Sequence, residues 1–239
     1  MEALTAVKVL LIVTSHSQFG STGEKTGFWL EELAAPYEQF VKAGAQVDIA
    51  SPLGGKAPVD PRSEKESTED TRAFLADAEA TKKLANTQVL AQVKDTYDAY
   101  FVVGGHGVMW DLSQHAPTHQ LLSSGYARGA VVAAVCHGPA ALVGVKGPDG
   151  KPLVAGKRVA GFSNAEEQAA KFDAIVPFPL ETRLRELGAR YESGPLWKSF
   201  TVRDGRLVTG QNPASSAATA REVLKVLAEK KQQAPAPKG

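Results

Sequence analysis

Residues 130–144 read AVVAAVCHGPAALVG and contain Cys136, the only cysteine of the chain. Six apolar residues lead into Cys136, and His137, Gly138 and Pro139 follow before the apolar pattern resumes. A short run of this kind is typical of a buried parallel strand. In α/β proteins the reactive groups collect beyond the carboxyl ends of such strands. The stretch therefore predicts a strand, a sharp turn at Cys136 and a helix that begins near Pro139.

Cys136 has two interpretations. Cysteine is among the most buried residue types and often acts only as a small core residue. A nucleophile on a sharp turn needs small residues two positions before and after it, and Ala134 and Gly138 meet that need. The His137 N–H is placed to help stabilise an oxyanion, and the positive end of the following helix is expected to lower the thiol pKa. The residues favour the nucleophile and leave the core interpretation open.

The rest of the chain alternates short apolar runs with helical patterns, which predicts an α/β fold with a mostly parallel sheet sandwiched by helices. Pro36 is expected to bend or restart the first helix, and Pro117 to interrupt a later one. We expect one domain over residues 1–231 and a disordered tail over 232–239, QQAPAPKG. The predicted strands cover residues 8–14, 45–51, 97–103, 130–135 and 158–161, with a hairpin over 199–210. The predicted helices cover residues 28–43, 71–93 in two pieces, 113–128, 164–172, 180–188 and 213–231.

Composition limits the class of protein. The chain has 239 residues, with 27 Lys and Arg against 26 Asp and Glu, so its net charge of +1 does not favour nucleic acid or anionic membranes as partners. A single cysteine cannot form an intramolecular disulfide, which indicates a reducing compartment. No apolar run approaches the ~18 residues that a membrane span needs. We therefore expect a soluble, cytoplasmic protein.

A family resemblance is carried by VVAAVCHGPAAL (131–142) together with GGHG (104–107). These motifs resemble the ThiJ/PfpI superfamily, within the class I glutamine amidotransferase-like fold. Residues 23–55, 156–167 and 204–216 are similar to its stress-chaperone branch, which has glutathione-independent glyoxalase (glyoxalase III, D-lactate dehydratase) activity. The resemblance covers nearly the whole chain except the last few residues. It implies a flavodoxin-like fold with a nucleophile elbow after a central strand, and a homodimer.

The resemblance also implies a set of catalytic residues. Cys136 matches the family's nucleophile, and His137 its catalytic histidine. The pattern TG-x4-EL places the carboxyl that meets the sulfur at Glu32, whose neighbour Glu31 would be a solvated helix charge. The pattern GF-[ST]-x-x-x-E places the third member at Glu167, which would orient the imidazole. A slip of one residue is possible there, and the unused glutamate, Glu166 if the match is right, would be a surface charge.

The GGHG loop supplies two further candidates. Gly105 follows a predicted strand, and its N–H is a candidate oxyanion donor. His106 either contacts substrate or only satisfies a loop carbonyl, and the residues do not decide between these. The loop lacks the G-x-G-x-x-G spacing of a phosphate cradle. His16, beyond the first strand, is a candidate for the rim of the pocket.

Metal and cofactor sites are not expected. Asp111, His115 and His119 have the i, i+4, i+8 spacing of one helical face and could form a two-histidine, one-carboxylate site. Pro117 disrupts that helix and counts against the site. We therefore expect no metal and no cofactor.

The implied reaction converts methylglyoxal or glyoxal, with water, to D-lactate or glycolate through a cysteine hemithioacetal. Three alternatives stay open: a stress-response holdase chaperone, a protein deglycase and a cysteine redox sensor, since an accessible thiol of low pKa is readily oxidised. A cysteine amidase or peptidase would use the same Cys–His pair. Two points count against it: a glutaminase needs an ammonia-using partner, and a peptidase needs a wider cleft than Glu32 would leave.

Overall fold

Seven strands form the central sheet of the protein, a computed structural model that describes residue 4 and residues 6–233. The strand order is β3-β2-β1-β4-β5-β9-β8, and every neighbouring pair is parallel except β8 and β9. Strands β6 and β7 form a separate two-stranded parallel sheet. The strands are β1 Lys8–Ile12, β2 Gln46–Ser51, β3 Gln88–Val89, β4 Ala99–Val102, β5 Val131–Val135, β6 Arg158–Val159, β7 Arg190–Tyr191, β8 Thr201–Asp204 and β9 Leu207–Gly210.

Helices flank this sheet. The helices α1 and α7 pack on each other, α7 also packs on β5 and β9, and α4 packs on β4 and β5. Short 3₁₀ helices connect several elements, among them Ser63–Lys65, His106–Met109, Gly138–Leu142 and Pro213–Ser215. The α-helices are α1 Leu30–Lys42, α2 Glu69–Ala76, α3 Ala78–Ala85, α4 Ala116–Arg128, α5 Asn164–Ala169, α6 Leu180–Glu186 and α7 Ser216–Gln233.

The mostly parallel α/β sheet that the sequence predicts is confirmed. All residues of β4 and β5 are buried, as expected for strands covered on both faces. The two strands pair in register from Ala99 with Val131 to Val102 with Ala134. Their carboxyl ends therefore lie side by side, and the loops that follow them open at the same edge of the sheet.

Several local predictions were wrong. Helix α1 continues through Pro36 without restarting, because its buried face packs against α7 and α2 and offsets the one lost hydrogen bond. Pro117 lies in the first turn of α4, where no N–H is required, and does not interrupt it. The element after Cys136 is a five-residue 3₁₀ helix, Gly138–Leu142, and not an α-helix. Strands β3 and β7 were not predicted.

The ends of the domain remain a prediction. Helix α7 continues to Gln233, two residues beyond the predicted boundary, and the remainder of the predicted tail, residues 234–239, lies outside the described residues. No helix in the described part of the chain combines the length and the hydropathy that crossing a bilayer requires.

Candidate active site

Cys136 lies directly after β5, at the carboxyl edge of the sheet. Its backbone has φ +60°, a left-handed conformation that costs a non-glycine residue about 1–3 kcal/mol unless its surroundings hold it. Two hydrogen bonds hold it: the Cys136 N–H donates to the Gly210 carbonyl at 3.0 Å, and the Phe162 N–H donates to the Cys136 carbonyl at 2.8 Å. The strained turn lifts the side chain out of the strand, the geometry of a nucleophile elbow.

Gly138 makes this turn possible. A Cβ at this position would lie 2.5 Å from the carbonyl oxygen of Val102 and 3.4 Å from the Cβ of Ala134. The chain thus crosses the end of β4 at a distance that only glycine permits. The small residues that flank Cys136 in the sequence are required by this close crossing.

Glu32 reaches the sulfur from α1. Its side chain is fully buried and passes over Gly104, where a Cβ would lie 2.1 Å from Glu32 Oε2 and 2.9 Å from the Cys136 Cβ. No donor in the described chain meets its carboxyl oxygens with normal hydrogen-bond geometry, although the Cys136 thiol and the Gly104 N–H lie close enough to favour the charged form. Burial outweighs both and raises the pKa of Glu32 well above its ordinary value. Glu32 is therefore placed to hold a proton beside the sulfur.

The pKa of the Cys136 thiol is also raised well above its ordinary value, first by burial and then by the nearby Glu32 carboxyl. This is opposite to the shift that the sequence predicts. The expected helix dipole is absent because only a short 3₁₀ helix follows, and a macrodipole needs several aligned turns. With this raised pKa the Cys136 sulfur rests as a thiol, and a reaction at the sulfur needs a base to activate it.

His137 is positioned to be that base. Its Nδ1 lies 3.4 Å from the Cys136 Sγ, and its Nε2 lies 2.7 Å from Oε2 of Glu167. Burial alone would raise the pKa of Glu167, but His137 and His106 outweigh it and hold the pKa well below its usual range. An ionised carboxylate only accepts hydrogen bonds, so the His137 tautomer that fits this contact has its proton on Nε2. Its unprotonated Nδ1 then faces the thiol.

Glu166 has a different environment from Glu167. It is fully buried, so the expectation of a surface charge was wrong. It accepts hydrogen bonds from the Ser163 backbone and hydroxyl, from the Trp197 N–H and from the Asn212 amide. These contacts connect three segments of the fold and leave Glu166 no oxygen directed at the imidazole of His137.

The GGHG loop, residues 104–107, lies beside Cys136 and His137. Gly105 has φ +101° and lines a cavity together with Cys136 and His137. Neither the Gly105 N–H nor the His137 N–H donates a hydrogen bond within residues 6–233. His106 does not bond a loop carbonyl: its Nε2 lies 2.7 Å from Oε1 of Glu167. Glu32, Gly105, His106, Cys136, His137 and Glu167, the six predicted site residues, therefore converge on one site.

Other sequence candidates lie elsewhere. His16 stacks on Trp110 with ring centroids 5.3 Å apart and does not line the cavity. Asp111, His115 and His119 do not face a common point, because each bonds a different neighbour. These neighbours are the Thr14 and Ser15 groups for Asp111, the Thr118 hydroxyl for His115 and the Leu112 carbonyl for His119.

One group in the described chain has the donor atoms and spacing for a metal ion. It consists of His106, His137 and Glu167, whose ligand atoms lie within 4.8 Å of one another. In the structure these atoms are hydrogen-bonded among themselves, through the two 2.7 Å contacts to Glu167.

The cavity above Cys136 has a volume of about 520 Å³. Aromatic side chains supply much of its wall, namely Trp29, Phe162, Phe172 and Trp197. Arg62 contributes a guanidinium whose charge is compensated by the buried Asp60. Sequence reasoning missed Trp197 as a wall residue, since nothing in the pattern indicates that its backbone has φ +61° or that its N–H bonds Glu166.

Several known proteins are similar to this chain in sequence and in fold. The glutathione-independent glyoxalase HSP31 of Saccharomyces cerevisiae is 36% identical over 89% of this chain and 94% of its own length. The crystal structure of glyoxalase III from Candida albicans superposes with a TM-score of 0.83 at 33% identity, covering 93% and 98% of the two chains. The Rapid Encystment Protein 24 KDa of Francisella tularensis gives a TM-score of 0.89 at 39% identity, covering 92% and 99%.

The same relationship appears at the level of the family. Residues 25–226 match the sequence profile of the DJ-1/PfpI family, and this range contains the elbow at Cys136, the GGHG loop and both buried glutamates that meet the site. With more than four fifths of its length inside that match, this chain belongs to the DJ-1/PfpI family.

Proposed function

We propose that this protein is a glutathione-independent glyoxalase of the glyoxalase III type, which converts methylglyoxal or glyoxal with water to D-lactate or glycolate. The observation that carries the proposal is the pair of groups on the Cys136 sulfur. The base is His137 Nδ1, which lies 3.4 Å from the Cys136 Sγ. The acid is the Glu32 carboxyl, which has a raised pKa and reaches the same sulfur. A nucleophile that holds both a base and an acid suits an isomerisation that moves protons between neighbouring carbons.

The first step is attack of Cys136 Sγ on the aldehyde carbon C1. His137 Nδ1 takes the thiol proton as the C–S bond forms, and the resulting imidazolium stays paired with ionised Glu167. The oxyanion O1 lies by the backbone N–H groups of Gly105 and His137, which are free of other hydrogen bonds within the described residues. Return of the proton from His137 to O1 gives a neutral hemithioacetal.

The second step transfers hydrogen from C1 to C2. His137 removes the C1 proton while Glu32 protonates the ketone oxygen O2, which gives an enediol. The His137 imidazolium then protonates C2, and the Glu32 carboxylate takes the proton from O1. The product is a thioester with a hydroxyl on C2, and both residues return to their starting protonation states. No oxidant or reductant is needed.

The last step is hydrolysis of the thioester. Water, activated by His137, adds to C1, and the C–S bond breaks as the thiolate takes a proton. The products are the 2-hydroxy acid and free Cys136. The apolar wall of the cavity limits the access of bulk water to the enediol before this step.

The experiment is production of D-lactate from methylglyoxal by the purified protein in the absence of any added thiol. We expect turnover by the wild type and only the background rate for Cys136→Ala, because the covalent step is lost. Glutathione should not increase the rate. Equal rates for wild type and Cys136→Ala, or turnover that requires glutathione, would contradict the proposal.

We further propose that the substrate is a small 2-oxoaldehyde, that the enzyme acts in the cytoplasm, and that it is a homodimer. The free thiol at Cys136 suits a reducing compartment, and the dimer follows from the family resemblance. Light scattering on the purified full chain measures the oligomeric state directly, and a mass near 25.3 kDa would exclude the dimer.

A further inference from the structure

The carboxylate of Glu167 connects two imidazoles. Its Oε2 lies 2.7 Å from Nε2 of His137, and its Oε1 lies 2.7 Å from Nε2 of His106. The two rings are neighbours, with centroids 4.0 Å apart. All three side chains are buried, which limits the competition of solvent for these bonds. The Cys–His–Glu arrangement therefore has a fourth polar member.

His106 is held in an aromatic enclosure. Its ring makes edge contacts with three phenylalanine rings, and the distances between ring centroids are 5.1 Å to Phe19, 5.2 Å to Phe172 and 6.1 Å to Phe162. Burial, together with the adjacent His137, lowers the pKa of His106 to about 4. The ring is therefore neutral at physiological pH and carries one N–H. Because the ionised Glu167 can only accept hydrogen bonds, the single N–H of His106 is on Nε2 and donates to Glu167 Oε1.

We propose that His106 is a positioning residue, whose Nε2–H fixes the second oxygen of Glu167 so that Glu167 holds His137 with its unprotonated Nδ1 towards Cys136. This role rests on the proposed function, since it serves the proton transfer from the thiol to His137. It differs from the substrate-binding role that the sequence suggested, because the one donor of His106 is already used on Glu167.

The second hydrogen bond matters when charge develops on His137. A carboxylate bonded through one oxygen only is free to turn about its terminal bond, and Oε1 would then compete with Oε2 for the His137 Nε2–H. With Oε1 bonded to His106, Oε2 keeps its place as His137 becomes an imidazolium. Groups preorganised in this way need no rearrangement during reaction.

Two substitutions at His106 separate the hydrogen bond from the packing. His106→Gln keeps a donor at about the reach of Nε2 but loses the aromatic ring. His106→Phe keeps a ring that suits the enclosure of Phe19, Phe162 and Phe172 but loses the donor. We expect His106→Phe to lower kcat about 10- to 100-fold with KM changed less than about twofold, and His106→Gln to recover most of kcat.

The opposite patterns overturn the proposal. A residue that only fills space would give an active His106→Phe and an impaired His106→Gln. A residue that contacts substrate would give a raised KM with kcat retained. His115→Gln is the matched control, because the His115 side chain hydrogen-bonds only the Thr118 hydroxyl among the described residues and does not line the cavity; this variant should retain wild-type kcat and KM.

A double variant tests whether His106 acts through Glu167. If it does, adding His106→Phe to Glu167→Gln should lower kcat by less than about twofold beyond Glu167→Gln alone. A further loss equal to that of the single His106→Phe variant would mean that His106 acts independently and would overturn the inference.

Alkylation of Cys136 by iodoacetamide separates this inference from the proposed function, because it requires the His137 base but no aldehyde chemistry. We expect slower alkylation in His106→Phe than in His106→Gln and the wild type. If the wild type makes no hydroxy acid but the three proteins show this order of alkylation rates, the glyoxalase proposal fails and the positioning role stands. Equal alkylation rates in all three proteins would contradict the positioning role whatever the activity.

Discussion

At the scale of single residues, Glu32 breaks a general rule of folded proteins. Buried side-chain oxygens almost always have hydrogen-bond partners, but neither oxygen of Glu32 has one within the described residues. Its position therefore costs stability, and the adjoining Cys136 adds backbone strain at φ +60°. Two locally unfavourable residues in contact are typical of a site that is retained for its chemistry.

The cost of Glu32 should depend on pH in a direction that its pKa sets. The folded state holds the Glu32 proton more tightly than the unfolded chain, because the folded-state pKa is raised. As pH rises above ~4.5, Glu32 ionises freely only in the unfolded chain, so the free energy of unfolding falls by up to about 1.4 kcal/mol per pH unit until the folded-state pKa is reached. We expect Glu32→Met to lack this loss, so its Tm advantage over wild type should grow from pH 5 to pH 8.

Thermal unfolding of both proteins across that pH range measures the effect, and Glu24→Met is the control because Glu24 is exposed. The control should follow the wild type at every pH. A Tm difference between Glu32→Met and wild type that stays constant or shrinks with rising pH would contradict a raised pKa at Glu32.

At the scale of elements, α5 joins two functions in adjacent residues. Glu167 directs its carboxylate to the histidines, whereas Glu166 caps the start of α5 through Ser163 and bonds two distant segments, at Trp197 and Asn212. The loop that carries the cavity wall is therefore attached to the same helical turn that orients the candidate base. Disturbing Glu166 should affect the fold first and the chemistry second.

Glu166→Ala should leave several buried donors without a partner and lower the free energy of unfolding by about 2–4 kcal/mol, which corresponds to a Tm lower by roughly 5–12 °C. Differential scanning calorimetry measures the change. The matched control is Glu186→Ala, because the exposed Glu186 side chain forms only an ion pair with Arg183 among the described residues; the Tm of this variant should change by less than about 2 °C. Equal Tm values for Glu166→Ala and the control would show that the four hydrogen bonds contribute nothing.

The elements that sequence patterns predicted are those with strong local signals. The strands β1, β4 and β5 are largely apolar runs, and β2 alternates Val47 and Ile49 with polar residues. A two-residue turn at Gly205 and Arg206 closes the predicted hairpin between β8 and β9. The two-residue strand β3 and the 3₁₀ helix after Cys136 have no such signal. Strand β3 forms because its two residues pair with β2 at the edge of the sheet. The 3₁₀ helix begins at Gly138, where the chain crosses closely over the end of β4. Tertiary contacts override propensity at both places.

The candidate site divides in the same way. Cys136 was found from local sequence, while Glu32 and Glu167 came from the family resemblance, and all three lie together in the structure. The bond from His106 to Glu167 joins residues 61 positions apart, and local patterns carry no information about such a contact. The direction of the Cys136 pKa was wrong because burial and Glu32 act on the thiol only after the chain has folded.

At the scale of the whole molecule, the site is assembled from segments far apart in the chain and held by the centre of the sheet. Glu32 comes from α1, His106 follows β4, Cys136 and His137 follow β5, and Glu167 comes from α5. The strands β4 and β5 are flanked by other strands on both sides, and all their residues are buried. The cavity wall near Trp197, by contrast, lies on a segment without helix or strand, with Trp197 47% exposed. The residues around Cys136 thus follow the central strands, whereas this part of the cavity wall is held by hydrogen bonds from a segment outside the sheet.

Hydrogen exchange should reproduce this division. The strands β1, β4 and β5 pair with a strand on each side. Their amides should therefore exchange only through global unfolding, at least about 10³-fold more slowly than those of the short edge strand β3 and of residues 192–200. Mass spectrometry of peptic fragments during exchange at neutral pH measures the order. Glu166→Ala should increase exchange in residues 192–200 more than in β5, because Glu166 accepts the Trp197 N–H. Exchange in β5 as fast as in residues 192–200 of the wild type would mean that the turn at Cys136 is not held by a rigid sheet, and the strained φ of that residue would then have no support.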